Sequence, residues 1–246
     1  MEERGRFAAT FDDPRVSRQF CRRFEDDDRA VVVLGVVHDH PASVARVETV
    51  LERVDPDVLA LELPPAAVPL YRSYAVDVDR PDGPRFGGEM STAIACAPAA
   101  TVEGIDASPG AFSRRLLGGV VTGSIRPTTA GTVLSGVATA TKSALACRLA
   151  ATVTDATSMT VVSDEPYPYG CSREDPPIRQ ADHERRHVAT VRTLLSGTQD
   201  GPTRVRDEIR ESVMCDRLAG CLDRGVVGVV VGVDHLEAIA DRIRTR

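Results

Sequence analysis

AVVVLGVVHDHPASVARVETVLERVDPDVLALEL, residues 30–63, is the stretch that decides the fold class. Val31 to Leu34 form an apolar, β-branched run that stops at Gly35-Val36-Val37-His38. Pro41 stands where the first turn of a helix accepts it, and Val44, Val47, Val50, Leu51 and Val54 recur at helical spacing. Asp55-Pro56-Asp57 ends that pattern. Val58 to Leu63 is then a second apolar run, closed by Pro64-Pro65, which cannot continue a ladder. Strand, turn, helix and strand in so short a span make a βαβ unit, and with it a parallel sheet.

Far along the chain Val226 to Val231 is another strand-type run, closed by Gly232-Val233-Asp234-His235 and followed by a helical pattern. Two buried strands therefore end in the same spelling, G-x-x-H. In parallel sheets every right-handed crossover returns to the same edge, so loops leaving the carboxyl ends of the strands line one crevice. His38, Glu62 and His235 are expected together on that edge. Two imidazoles and a carboxylate with an open position can hold a divalent ion such as zinc, manganese or cobalt. Without a metal the same groups can act as general base and acid. The plainer alternative gives each glycine a tight turn, each histidine a helix to cap, and Glu62 a cap or salt bridge.

The run LGVVHDHPASVARVETVLERVDPDVLALEL resembles the opening of the TraB/PrgY family, which includes the Tiki proteins and is more distantly related to GumN-like and erythromycin-esterase-like proteins. Gly88-Glu89-Met90-Ser91 followed by Ala93-Ile94, Val102 to Asp106, Arg210 to Met214, and Val231 to His235 are similar to the family in the same order. The likeness covers about residues 30–106 and 205–240. It maps the family's two G-x-x-H motifs and glutamate onto Gly35, His38, Gly232, His235 and Glu62, with Glu89, Asp106 and Arg210 as further matches. It implies a mainly parallel α/β sheet flanked by helices, with a helical insertion between the third and last core strands. It also implies metal-dependent hydrolysis of a peptide or small amide, or PrgY-like limitation of a peptide signal. The chain departs from the family at Asp39-His40-Pro41, where a small or hydroxyl residue is commoner. Only Leu236 to Arg246 follow the second motif, where many members carry membrane spans, so no membrane role is expected.

Composition agrees with a folded domain of ordinary type. In 246 residues, 42% are hydrophobic and 27% charged, while aromatics are only 4% with no Trp, so the core must be aliphatic. A net charge of -6 and a pI near 5.4, with basic residues scattered, argue against nucleic-acid binding. Lys142 is the only lysine, and Asp outnumbers Glu, a balance expected of a high-GC or salt-adapted source. Cys21, Cys96, Cys147, Cys171, Cys215 and Cys221 show no C-x-x-C pairing and read as buried thiols. No apolar run is long enough to span a bilayer and no signal core opens the chain, so a cytoplasmic protein is expected.

Residues 1–29 read as an edge element or arm, and residues 30–246 as one domain. Residues 79–88 form a Gly/Pro loop able to lie over the site. Glu89 opens a helix, where it suits the dipole or turns into the crevice as a second carboxylate. The insertion, about residues 118–200, carries weak helical patterns suited to core packing, a lid or a dimer surface, and a Pro-rich loop at 163–178. His183-Glu184-Arg185-Arg186-His187 spells the zinc-binding H-E-x-x-H. Its two arginines disfavour a cation, so it reads as a solvated helix face. Arg210 is expected to reach an anion, a site carboxylate or an exposed salt bridge, and Asp234 to orient His235 or cap the last helix.

Overall fold

The computed structural model describes residues 1–26, 29–76, 86–134, 168–195 and 201–245. Its centre is a six-stranded sheet in the order β1-β2-β3-β6-β4-β5. The four strands β3 (Arg29–Val36), β6 (Val226–Gly232), β4 (Val58–Leu61) and β5 (Thr101–Gly104) run parallel. Val31, Val33, Val227 and Val229 face one side of the sheet, and Val32, Leu34, Leu59 and Leu61 the other. Such unbroken apolar strands belong in a sheet covered on both faces.

The first cover is α1 (Pro41–Val54) with α3 (Gly88–Cys96), which bring Val47, Val50, Leu51, Ala93 and Ile94 onto the sheet. The second is α6 (Pro202–Ala219) with α7 (Leu236–Arg244), through Met214, Leu218, Leu236, Ile239 and Ile243. Helix α2 (Val68–Val76) packs on α3 through its buried Leu70 and Tyr74. Helix α4 (Pro109–Val121) lies against α6, and α5 (Pro177–Leu195) lies against α1.

The opening segment is part of the sheet. Strands β1 (Glu2–Glu3) and β2 (Cys21–Asp26) add antiparallel to β3, with Phe20, Cys21 and Phe24 buried. Of the expected insertion, α4, the helical residues 127–134 and α5 are described. Residues 135–167 and 196–200, including Cys147 and part of the Pro-rich loop, lie outside the described residues, as does most of the loop at 79–88. Cys21, Cys96, Cys171, Cys215 and Cys221 are free thiols, and burial pushes those of Cys21 and Cys96 up to about 12. No helix among the described residues is long and apolar enough to cross a membrane.

Candidate functional site

Parallel pairing brings the two G-x-x-H turns side by side, because Val36 stands opposite Gly232 in the β3–β6 register. Val233 N–H donates to the Val36 carbonyl at 2.9 Å and ties one turn to the other. Both glycines are needed for close approach. A β-carbon at Gly35 would come 3.1 Å from Leu236 Cδ2, and one at Gly232 would come 3.3 Å from Glu62 Oε2. The spelling thus lets the second turn seat on the first and lets a neighbouring carboxylate reach the second.

His38 leaves the end of β3 about half exposed. Its Nδ1 is hydrogen-bonded to Glu89 Oε1 at 2.9 Å, and Asp39 N–H donates to Glu89 Oε2 at 2.9 Å. Glu89 is buried in the first turn of α3, so the helix that suits its charge also aims it into the crevice. Asp39 holds a left-handed φ of 55°, and its Oδ2 lies 3.5 Å from His38 Nε2. Strain of this kind at a loop apex is kept only where the surroundings fix it.

His235 is built in the same way. Its Nδ1 is hydrogen-bonded to Glu211 Oε1 at 2.9 Å, and its Nε2 lies 3.5 Å from Glu62 Oε1 and 3.4 Å from Arg210 Nη1. Each imidazole thus meets a carboxylate at Nδ1, and a neutral ring held in that way keeps its basic nitrogen at Nε2.

Arg210 joins the ends of β4 and β5. Its guanidinium donates to both oxygens of Asp106, at 3.0 and 2.9 Å, and to Glu62 Oε1 at 2.6 Å. Burial alone would pull the Arg210 pKa down, yet Asp106 and Glu62 hold it above the usual guanidinium value. Glu62 Oε2 also accepts from Gly232 N–H at 2.6 Å. Both Glu62 oxygens are therefore engaged, one of them by a cation, and its role at the strand end is to lock β4 to β6 and α6.

The expected ligand set of His38, His235 and Glu62 is not gathered around one point. Among the described residues, the group of histidine and carboxylate ligand atoms that all lie within 4.8 Å of one another is His38, Asp39 and Glu89. The crevice instead holds two adjoining clusters: His38 with Asp39 and Glu89, and His235 with Glu211, Glu62, Arg210 and Asp106. Asp234 is exposed and lies 3.8 Å from Arg192. Glu211 lies in the Arg210–Met214 stretch but has no site role in the sequence reading, where nothing local separates it from the solvent-facing acids of α6.

The H-E-x-x-H segment of α5 is not the solvated face expected of it: Glu184 is fully buried, His183, Arg185 and His187 are partly buried, and only Arg186 is exposed. Arg46 of α1 donates to both Glu184 oxygens, at 2.6 and 2.8 Å, and Ser43 Oγ donates at 2.5 Å. A carboxylate neutralised in that way is no zinc-site base. His183 Nδ1 meets His40 Nε2 at 2.9 Å, while His40 Nδ1 accepts from Ala42 N–H as the cap of α1. Burial lowers the His40 pKa to about 4, and a ring needed as an acceptor at Nδ1 resists a second proton. Tyr169 Oη donates to the His38 carbonyl at 2.7 Å and packs on His40 at 4.7 Å between ring centres. All five histidines thus stand on this one edge. Comparison with protein-family models, with curated proteins and with solved structures finds no match.

Proposed function

We propose that the crevice is a hydrolytic centre acting on a peptide or related amide, as the resemblance to the TraB/PrgY family implies. The observation that carries this reading is the duplicated construction of the site: two strand-end imidazoles on neighbouring strands, each with Nδ1 on a carboxylate. A histidine oriented in this way keeps its Nε2 lone pair for proton transfer, and in His235 that nitrogen also faces Arg210 Nη1 across a long 3.4 Å contact that an attacking water would have to displace.

A divalent ion fits the first cluster better than the second. His38, Asp39 and Glu89 offer one imidazole and two carboxylates at compatible spacing, a donor set suited to zinc or manganese. Glu89 either completes that set or holds the His38 ring from Nδ1, the carboxylate–histidine arrangement that orients metal ligands. An ion held there supplies Lewis acidity toward an acyl oxygen and toward water. In the second cluster, Arg210 already neutralises Glu62 and opposes a cation.

His235 then serves as the acid–base group. It takes a proton at Nε2 from the attacking water and returns it to the departing amine as the C–N bond breaks, while Glu211 stabilises the imidazolium. Arg210 keeps the Glu62 and Asp106 carboxylates fixed beside it.

A second reading rests on the same dyad: His235 with Glu211 is complete without an ion, so metal-free hydrolysis needs only the second cluster. Elemental analysis of the purified protein, followed by chelation during turnover of an amide and ester panel, separates the two. Stoichiometric metal and loss of turnover on chelation support the first reading, and turnover unaffected by chelation supports the second. No turnover of any substrate, with a peptide still bound, would leave a sequestering protein and overturn both.

A further inference from the structure

Between the two G-x-x-H turns and α5 the surface sinks into a cavity of about 190 Å³. Val37 of the first turn, Val188 and Val191 of α5, and Val233 of the second turn form its walls, together with His38, His187 and Gly232. Val188 and Val233 are buried in one cluster with Phe20, against which Val37 packs, so the walls are backed by the body of the protein. Arg192 and Asp234 also belong to the lining, as a loose and exposed pair 3.8 Å apart.

Two features set what this space can take. Sites that enclose a whole small molecule run from about 300 Å³ upward, so this one suits a single side chain. Its walls are mainly branched and aliphatic, and its charges, Arg192 and Asp234, are exposed and already face one another, so a charged group entering it would lose water for little return. His38 belongs to the same lining, so a side chain seated in the cavity lies beside that imidazole.

We propose that this cavity is the specificity pocket of the site and receives an aliphatic side chain of leucine or isoleucine size, carried by the residue next to the scissile amide. The assignment rests on the hydrolytic reading, yet occupancy of the pocket requires no turnover and is measured separately.

The test is methyl NMR on the full chain with labelled valines, titrated with N-acetyl-leucinamide, N-acetyl-alaninamide, N-acetyl-lysinamide and N-acetyl-phenylalaninamide. N-acetyl-leucinamide is expected to shift the Val188, Val191 and Val233 methyls and to bind at least about tenfold more tightly than the alanine and lysine amides, since methylenes in an apolar pocket give factors of about 10 to 200. Val191→Phe, which fills the cavity, removes those shifts. Val191→Ala, which enlarges it, moves the preference toward N-acetyl-phenylalaninamide. Equal binding of the leucine and alanine amides, shifts confined to other methyls, or a Val191→Phe protein that binds as the parent does would each overturn the pocket. Leucinamide binding with no hydrolysis of any leucyl amide would leave the pocket standing and remove the hydrolytic reading. Hydrolysis without a leucine preference would do the reverse.

Discussion

The H-E-x-x-H helix and the pair of G-x-x-H turns carry the same residue types to the same edge of the sheet, yet their chemistry is opposite. In the helix, Glu184 is sealed under Arg46 and Ser43, and His183 is spent on the His40 ring that caps α1. In the turns, His38 stands half exposed with its ring held from behind by Glu89, and His235 is held by Glu211. The longer motif braces the scaffold and the shorter one faces the crevice. Partner, not spelling or burial, decides which histidine is available for chemistry, for His235 is buried and His183 only partly so.

The contrast is most easily broken by removing imidazoles. His38→Ala and His235→Ala should each lower turnover of a responsive amide by about 10²- to 10⁴-fold, the usual worth of a positioned acid or base. His187→Ala should leave metal content unchanged, and loss of bound metal would restore the zinc reading of the helix. Next in size is the brace. Arg46→Met strands the Glu184 charge in the interior and should lower the unfolding free energy by about 3–5 kcal/mol in a urea titration. The double variant with Glu184→Met should recover much of that, whereas a single-variant cost below about 1 kcal/mol would refute the brace.

Glu211→Gln sharpens the comparison from the other side. It should cost turnover about 10- to 100-fold, as loss of a ring-orienting carboxylate does, and shift the ¹⁵N signals of His235 toward the Nε2–H tautomer. Unchanged signals would show that Glu211 is a surface acid. A pH series then tests His40. Its folded pKa of about 4 lies below the unfolded value near 6.5, so the unfolded chain binds the extra proton first. The stability it contributes is full above about pH 6.5, declines through the window down to about 4, and is gone below it, a loss of about 1–3 kcal/mol. His40→Asn keeps a capping side chain and should flatten that slope. Smallest of all, Glu208→Gln removes an exposed partner of Arg204 and should move stability by less than about 0.5 kcal/mol.

Much of the scaffold was readable before any coordinates. The valine runs at 31–34 and 226–231 and the helical spacing of Val44 to Val54 have one consistent solution, strands covered on both faces. The shared edge for His38, Glu62 and His235 followed from crossover handedness alone. What escaped depends on partners distant in sequence. For Arg210 an anion, a site carboxylate and an exposed salt bridge are equally open in the sequence, and nothing local tells that Glu62 is held by it, which is why a His–His–Glu set looks sound. The arginines inside H-E-x-x-H suggested solvent, yet Ala181, Glu184 and Val188 share one helical stripe, and all three are buried. That spacing already placed Glu184 inward; the missing fact was Arg46, on another helix. Glu211 and Tyr169 had no local signature, because their roles arise only from contacts with His235 and His38.

The place of β6 in the sheet has a kinetic consequence. The strand enters between β3 and β4 but follows β3 by almost two hundred residues. Until it inserts, the first βαβ unit has an open seam where its middle strand belongs, and the loop to be closed is long, which slows folding. During synthesis this rim therefore cannot close before β6 emerges: a ribosome-bound chain lacking β6 would expose two apolar strand edges to whatever chaperone meets it, with His38 and His235 not yet brought together.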